Sequence, residues 1–330
     1  MTVLQYNSTQ PYNADATYDG ALASAVVACP AGIVETDVYI SPDGEEYPLH
    51  NPPNRSILTE EGFGMPSIDY ITQRGPFQHG VSLIDHFLQP RIVQYVIRNN
   101  FTSRSNYWNG RTTLLNILRP GRTGLPAVGY LQRRLTNGDS RRLDVLIQQG
   151  PKFEPRAPNR WDEWSFTETL RFVALNPILY HPTQQSLAFA PAVVQLIFPV
   201  TFPITFGGFV GTIVVSYDGT WIEYPTIEIT GPLTDVVIQN VSTNENITLN
   251  TMIPAGYTVT FNLLYGQKTV TRNDGVNMIG YVSDDSDLFS FHLAPDPEVV
   301  GGLNNIFIFG SDASVASAVV IRWYRRYIGL

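Results

Sequence analysis

Residues 221–250 read WIEYPTIEITGPLTDVVIQNVSTNENITLN, short runs of alternating apolar and polar side chains parted by a Gly-Pro pair and an Asn- and Ser-rich turn. Alternation with period two puts successive side chains on opposite faces of a strand, and Gly, Pro and Asn interrupt it where the chain turns. The segment reads as strands at 221–230, 235–239 and 246–249. The cadence extends back to 212–217 and forward through 257–263, 269–271, 288–292, 305–309 and 318–324, the pattern of an all-β sandwich.

Upstream, residues 182–217 carry no charged side chain and are long enough to cross a bilayer as a helix. Pro191, Pro199 and Pro203, with Gly207, Gly208 and Gly211, break any such helix, and residues 200–206 alternate, so the segment reads as strand and no membrane span is expected. Uncharged aromatic strands aggregate when left open. Phe202, Phe206 and Phe209 are therefore expected to be buried between domains or subunits.

The first half holds one amphipathic helix, near 103–118. It opens with Ser103 or Ser105 as N-cap, closes before Pro120-Gly121, and carries Tyr107, Trp108, Arg111, Leu114, Leu115 and Leu118 on one face. A strand at 91–98 precedes it. Strands at 129–135 and 141–148 flank the turn Thr136-Asn137-Gly138-Asp139, and a further strand covers 164–175. The Asn-Pro and His-Pro pairs at 176–182 mark a boundary, giving domains 1–181 and 182–330. A mainly β fold is the expectation.

Composition supports a folded chain of more than one core. Of 330 residues, 43% are hydrophobic and 15% charged, which excludes a disordered tail or coiled coil. The net charge of −8 is segmented: −9 over residues 1–85, +10 over 86–160, and −9 over 161–330. The basic segment has no nucleic-acid module signature, so it is read as pairing with acidic segments within the fold or across a subunit contact. Nineteen of the 21 basic residues are Arg, the side chain suited to fixed, partly desolvated contacts. Arg and aromatics also interleave at 319–328, read as one last strand that closes the sandwich and offers Arg to an acidic neighbour.

Catalytic signatures are missing. There is no phosphate-binding glycine loop, no dinucleotide fingerprint, no His-Glu-x-x-His and no Gly-x-Ser-x-Gly elbow, and His50, His79, His86, His181 and His292 are scattered. Asp284, Asp285 and Asp287 lack the glycine and final Glu of an EF-hand and read as a solvated turn. Cys29 is the single cysteine, read as a buried strand end, and excludes an internal disulfide. No catalytic residue, cofactor or metal is expected. The first residues lack a signal peptide, so the chain is expected to stay in a cytoplasm until something other than secretion moves it.

Several runs then carry a family resemblance in their order along the chain. They are Glu61-Gly62-Phe63-Gly64-Met65-Pro66, Thr72-Gln73-Arg74-Gly75-Pro76-Phe77-Gln78-His79-Gly80-Val81, Gln89-Pro90-Arg91 and Leu118-Arg119-Pro120 in the first half. In the second half they are Pro225-Thr226-Ile227-Glu228-Ile229-Thr230-Gly231-Pro232, Val237-Ile238-Gln239-Asn240, Ala255-Gly256 and Ile321-Arg322-Trp323-Tyr324-Arg325-Arg326-Tyr327. In these the sequence resembles the distal tail proteins of long non-contractile-tailed bacteriophages.

The resemblance implies a first β-sandwich or split-barrel (belt) domain with one helix that forms a hexameric ring, and a galectin-like second sandwich. It implies a non-enzymatic adaptor at the virion tail tip, assembled in the host cytoplasm. Such a ring joins the tail tube protein to the baseplate hub or tail-associated protein, carries receptor-binding protein, and lets DNA pass its lumen without specific binding. On this reading Arg91, Arg98, Arg104 and Arg111 are expected as ring-contact charges, since a closing head-to-tail contact joins complementary faces. The alternative is a carbohydrate-binding adhesin working through the second sandwich; Trp221 and Tyr224 have rings that could stack on a sugar, but both are read first as core or subunit packing.

Overall fold

The computed structural model describes residues 36–120, 128–153, 164–190 and 209–330. Cys29, Phe202 and Phe206 lie outside them. The first half runs β1 (Thr36–Ile40), β2 (Glu46–Pro48), β3 (Arg55–Glu61), β4 (Ile68–Gln73), β5 (Ser82–Leu88), β6 (Arg91–Asn100), α1 (Arg104–Ile117), β7 (Gly129–Arg134), β8 (Ser140–Phe153), β9 (Ser165–Ala174) and β10 (Leu179–Tyr180). The second runs β11 (Gln185–Phe189), β12 (Phe209–Ser216), β13 (Thr226–Thr230), β14 (Leu233–Asn240), β15 (Glu245–Ile253), β16 (Thr258–Asn262), β17 (Thr269–Arg272), β18 (Leu303–Ser311), β19 (Ala318–Trp323) and β20 (Arg326–Tyr327).

In the first sheet the strand order is β2-β1-β7-β8-β9-β6-β3. Strand β8 pairs β7 through its first half and β9 through its second, with register shifts around Gln149. Both halves of the sheet send side chains into one core, including Tyr39, Leu131, Leu143, Tyr95, Phe172 and Leu170, and α1 closes it with Tyr107, Leu114 and Ile117. Tyr95 meets Phe172 edge to face at 6.4 Å, the arrangement that aligns ring edge with ring face.

The second core lies between two antiparallel sheets, β11-β19-β13-β16-β17 and β12-β18-β14-β15. Inward positions such as Ile227, Ile229, Phe261, Ile306, Ile308 and Ile321 are fully buried, and their strand neighbours face out. The mainly β class, one α-helix among the described residues and the sandwich are as expected from the sequence.

Three local expectations are corrected. Pro225 offers no N–H, so β13 begins only at Thr226, and the chain before it makes isolated bridges at Trp221 and Glu223. Residues 288–292 are a loop, not a strand. The closing strand is two strands in different sheets: β19 completes the sandwich, and after Tyr324 and Arg325 the chain crosses to the first sheet, where β20 pairs β10. Arg322 does meet an acid, its guanidinium donating to both Glu228 oxygens at 3.1 and 3.0 Å.

One carboxyl sits inside the first core. Glu168 on β9 is fully buried and accepts a hydrogen bond from Asn99 Nδ2 at 3.0 Å, while its second oxygen has no partner among the described residues. Burial raises its pKa to about 7, against the lowering effect of Asn99 and of the Arg55 charge. The fold therefore prefers the neutral acid, and stability is lost as pH rises from the ordinary carboxyl pKa through about 7. Glu168→Gln is expected to be more stable than the parent at pH 8 by about 2 to 3 kcal/mol, and little different at pH 4.5. Urea unfolding at both pH values checks this, and parallel pH profiles would refute it.

Candidate assembly surface

Strands β4 and β5 pair only with each other. This two-stranded arm leaves the first sheet after β3 and returns at β6. A two-stranded ribbon with water on both faces is marginal unless something else covers it. Here Tyr70, Ile71, Val81, Leu83, Ile84 and Phe87 are all exposed. At the tip, Phe77 is held at φ 61° with its ring wholly in solvent. A left-handed backbone at a residue with a Cβ costs about 1–2 kcal/mol. Gln78 fixes this tip: its Oε1 accepts from Gly75 N at 2.9 Å, its carbonyl accepts from Arg74 Nε at 3.2 Å, and its Nε2 donates to Ser82 Oγ at 2.8 Å.

The arm has a rigid root. Gly62 sits at φ 101°, where a Cβ would lie 2.0 Å from the Ile92 carbonyl oxygen, so only glycine fits. Arg91, at the start of β6, is 3% exposed. Its guanidinium donates to Gly62 O at 2.8 Å, Gly64 O at 2.5 Å, Pro177 O at 2.9 Å and Ile328 O at 2.6 Å. This charge, expected at a ring contact, is thus engaged within the chain, because four carbonyls surround it there. Arg98, Arg104 and Arg111 are left as the candidate ring-contact charges.

Those three lie together at the far end of β6. Ser103 caps α1, its hydroxyl oxygen accepting from Asn106 N at 3.2 Å, as the sequence predicts. Arg98 and Arg104 are exposed, and neither has an ion pair among the described residues. Arg111 is half-buried, lying 3.9 Å over Phe153 and donating to Tyr107 Oη at 3.0 Å. The expected inward face of α1 is corrected: Trp108 and Leu115 are 53% and 52% exposed. A turn of about 100° per residue carries them outward beside Tyr107 and Leu114. Beneath the helix, Asn51, Asn54, Asn99, Asn106 and Asn109 line a hollow of about 480 Å³.

The two cores are tied together by the carboxyl-terminal segment. Arg326 Nε donates to buried Glu223 at 2.6 Å, Arg325 bridges Asp218 at 3.1 Å and Asp139 at 3.6 Å, and Arg141 lies 4.0 Å over Tyr327. Tyr327 itself belongs to the first core. Phe209 is wholly buried inside the second sandwich, edge to face with Phe189 at 5.0 Å, rather than between units, because it heads β12 at an inward position.

In the loop after β17, Ser286 Oγ and Asp287 Oδ2 accept from Thr248 N and Asn246 N at 3.0 and 2.9 Å, completing the edge of β15. Among the described residues no His, Cys, Asp and Glu group is placed to hold a metal ion, and no helix is long and apolar enough to cross a membrane.

Residues 218–327 match the family described as siphovirus-type tail component, C-terminal domain. The crystal structure of SPP1 Dit, a hub adsorption protein of phages infecting Gram-positive hosts, matches with a TM-score of 0.56 at 14% identity, over 89% of this chain and 99% of that one. Structures of the phage P2 baseplate in its activated conformation, with Ca and with Sr, match with TM-scores of 0.44 and 0.42, each at 9% identity over 88% of this chain and 98% of theirs. No curated protein matches. The resemblance to distal tail proteins is borne out: residues 218–327 match the siphovirus-type tail component family, and the chain has the fold of SPP1 Dit.

Arg91→Ala leaves four carbonyls without their donor and is expected to destabilise the protein by about 3 kcal/mol or more, with earlier proteolysis at the arm root and the carboxyl-terminal segment. An unchanged denaturation midpoint would refute this.

Proposed function

We propose that this chain is the structural, non-enzymatic adaptor of the tail tip, six copies closing into a ring that joins the tail tube protein to the baseplate hub. The observation that carries the reading is the β4–β5 arm, which exposes apolar side chains on both faces and has a fixed root and tip. An arm of this kind stays soluble when a neighbour covers it, and a repeated head-to-tail contact that closes makes a ring.

On this reading residues 1–181 are the belt domain and 182–330 a galectin-like sandwich outside it. Two separate apolar cores support the division, with the last residues returning to the first. DNA passes the lumen without specific contacts, and the outer sandwich offers surface to receptor-binding protein and tail-associated components. Ile71→Ser, Leu83→Ser and Phe87→Ser together are expected to give a folded monomer by native mass spectrometry, where the parent gives a ring with a central hole by electron microscopy. A parent that stays monomeric at high concentration overturns the proposal.

The adhesin reading has one observation in its favour. Tyr265 and Phe289, both exposed, form a ring pair at 6.5 Å beside Lys268, whose Nζ donates to Leu288 O at 3.0 Å and to Phe289 O. Exposed rings of this kind stack on sugar faces. If the sandwich reads glycans, the full chain gives array signals that Tyr265→Ala with Phe289→Ala abolishes. A blank array leaves the adaptor alone.

A further inference from the structure

The arm and the outer face of α1 lie at opposite ends of β6, whose 10 residues span about 30 Å. Each end carries exposed apolar side chains with nothing covering them, and the two ends differ in charge. On one face of the arm, Asp69 stands opposite Phe87 and Ile71 opposite Asp85, so carboxylates and apolar groups alternate diagonally; all four are exposed. On α1, Arg104, Trp108, Arg111 and Leu115 follow at steps of four, three and four residues and share one stripe; Arg119 lies two residues past the helix end at Ile117, and no acid stands between Arg104 and Arg119.

We propose that the Asp69–Ile71–Asp85–Phe87 face of the arm docks on the Arg104–Trp108–Arg111–Leu115 stripe and Arg119 of the next copy. This inference rests on the ring reading and names the contact that closes it. The occupant is a second copy because one chain carries both halves of the match, at opposite ends, as a heterologous contact requires. Spacing agrees: Asp69 and Asp85 stand about 7–8 Å apart as diagonal neighbours. Arg104 and Arg111 are about 10 Å apart along the helix axis, a difference that flexible Arg stems close. The rings of Trp108 and Phe87, with Ile71 and Leu115, supply the apolar centre, and the ion pairs fix register and partner choice. Within a single chain this contact is out of reach, which explains why both surfaces are left open.

The test is a mixing experiment on the full chain. One variant carries Asp69→Lys and Asp85→Lys, the other Arg104→Glu and Arg119→Glu. All four side chains are exposed; Asp85 is paired only with exposed His86, at 4.0 Å, and the acid at 104 suits the helix dipole while the one at 119, beyond the last turn, opposes it weakly, so both variants are expected to fold, which melting curves check. Each alone is expected to need about tenfold or more higher concentration to form the ring, read by native mass spectrometry and light scattering. Mixed one to one they are expected to restore it as an alternating ring, since each reversed arm then meets a reversed helix.

Rings that persist in both variants overturn the proposal. So does failure of the mixture to restore a ring that each variant has lost, and in both cases the ring reading itself stands. A parent that forms no ring removes that reading, and this contact with it.

Discussion

The Arg91 guanidinium joins three places where the chain changes course: the Gly62–Gly64 root of the arm, the Pro177 turn before the second sandwich, and Ile328 in the returning segment. Hydrogen bonds from a charged donor to backbone carbonyls are among the stronger ones available, and burial withholds water as a substitute. Burial also lowers the pKa of Arg91 from its usual value, yet an arginine keeps its charge at any physiological pH. The direction of the arm and the return of the chain to the first sheet are both anchored on one side chain.

Much of this architecture was legible in the residues, and what was not has identifiable causes. The β7–β8 hairpin follows from Asn137-Gly138: Gly138 takes φ 86° and Asn137 Oδ1 accepts from Asp139 N. The start of α1 follows from Ser103. Strands with one wet and one buried face announce themselves by alternation, and β6, β9 and β13 do. The arm buries neither face, so its apolar residues carry no period that betrays a strand, and Gly and Pro at its tip read as loop. The turn of the chain at Tyr324 is hidden because alternation continues unbroken from β19 into β20 while the partner sheet changes. Arg91 gave no signal either, since its partners are backbone carbonyls remote in sequence.

The segmented charge acquires a physical meaning from the fold. Part of the basic segment is consumed internally, as where buried Arg133 meets Asp37 and Glu60, and Arg141 reaches Gly329 O. Among the described residues, Arg98 at the end of β6 and Arg104 at the start of α1 are exposed and without an ion pair. Exposed Asp69 and Asp85 on the arm stand near the start of β6, the end opposite α1. A chain arranged like this has polarity along one strand, and polarity is what a head-to-tail assembly needs.

Because the polypeptide crosses from its first core to its second after Tyr180 and returns at Arg326, the second sandwich hangs from a pair of tethers. A lobe on one tether swivels, whereas a lobe on two transmits torque and a sideways load. A pull on such a lobe is passed directly into the first sheet.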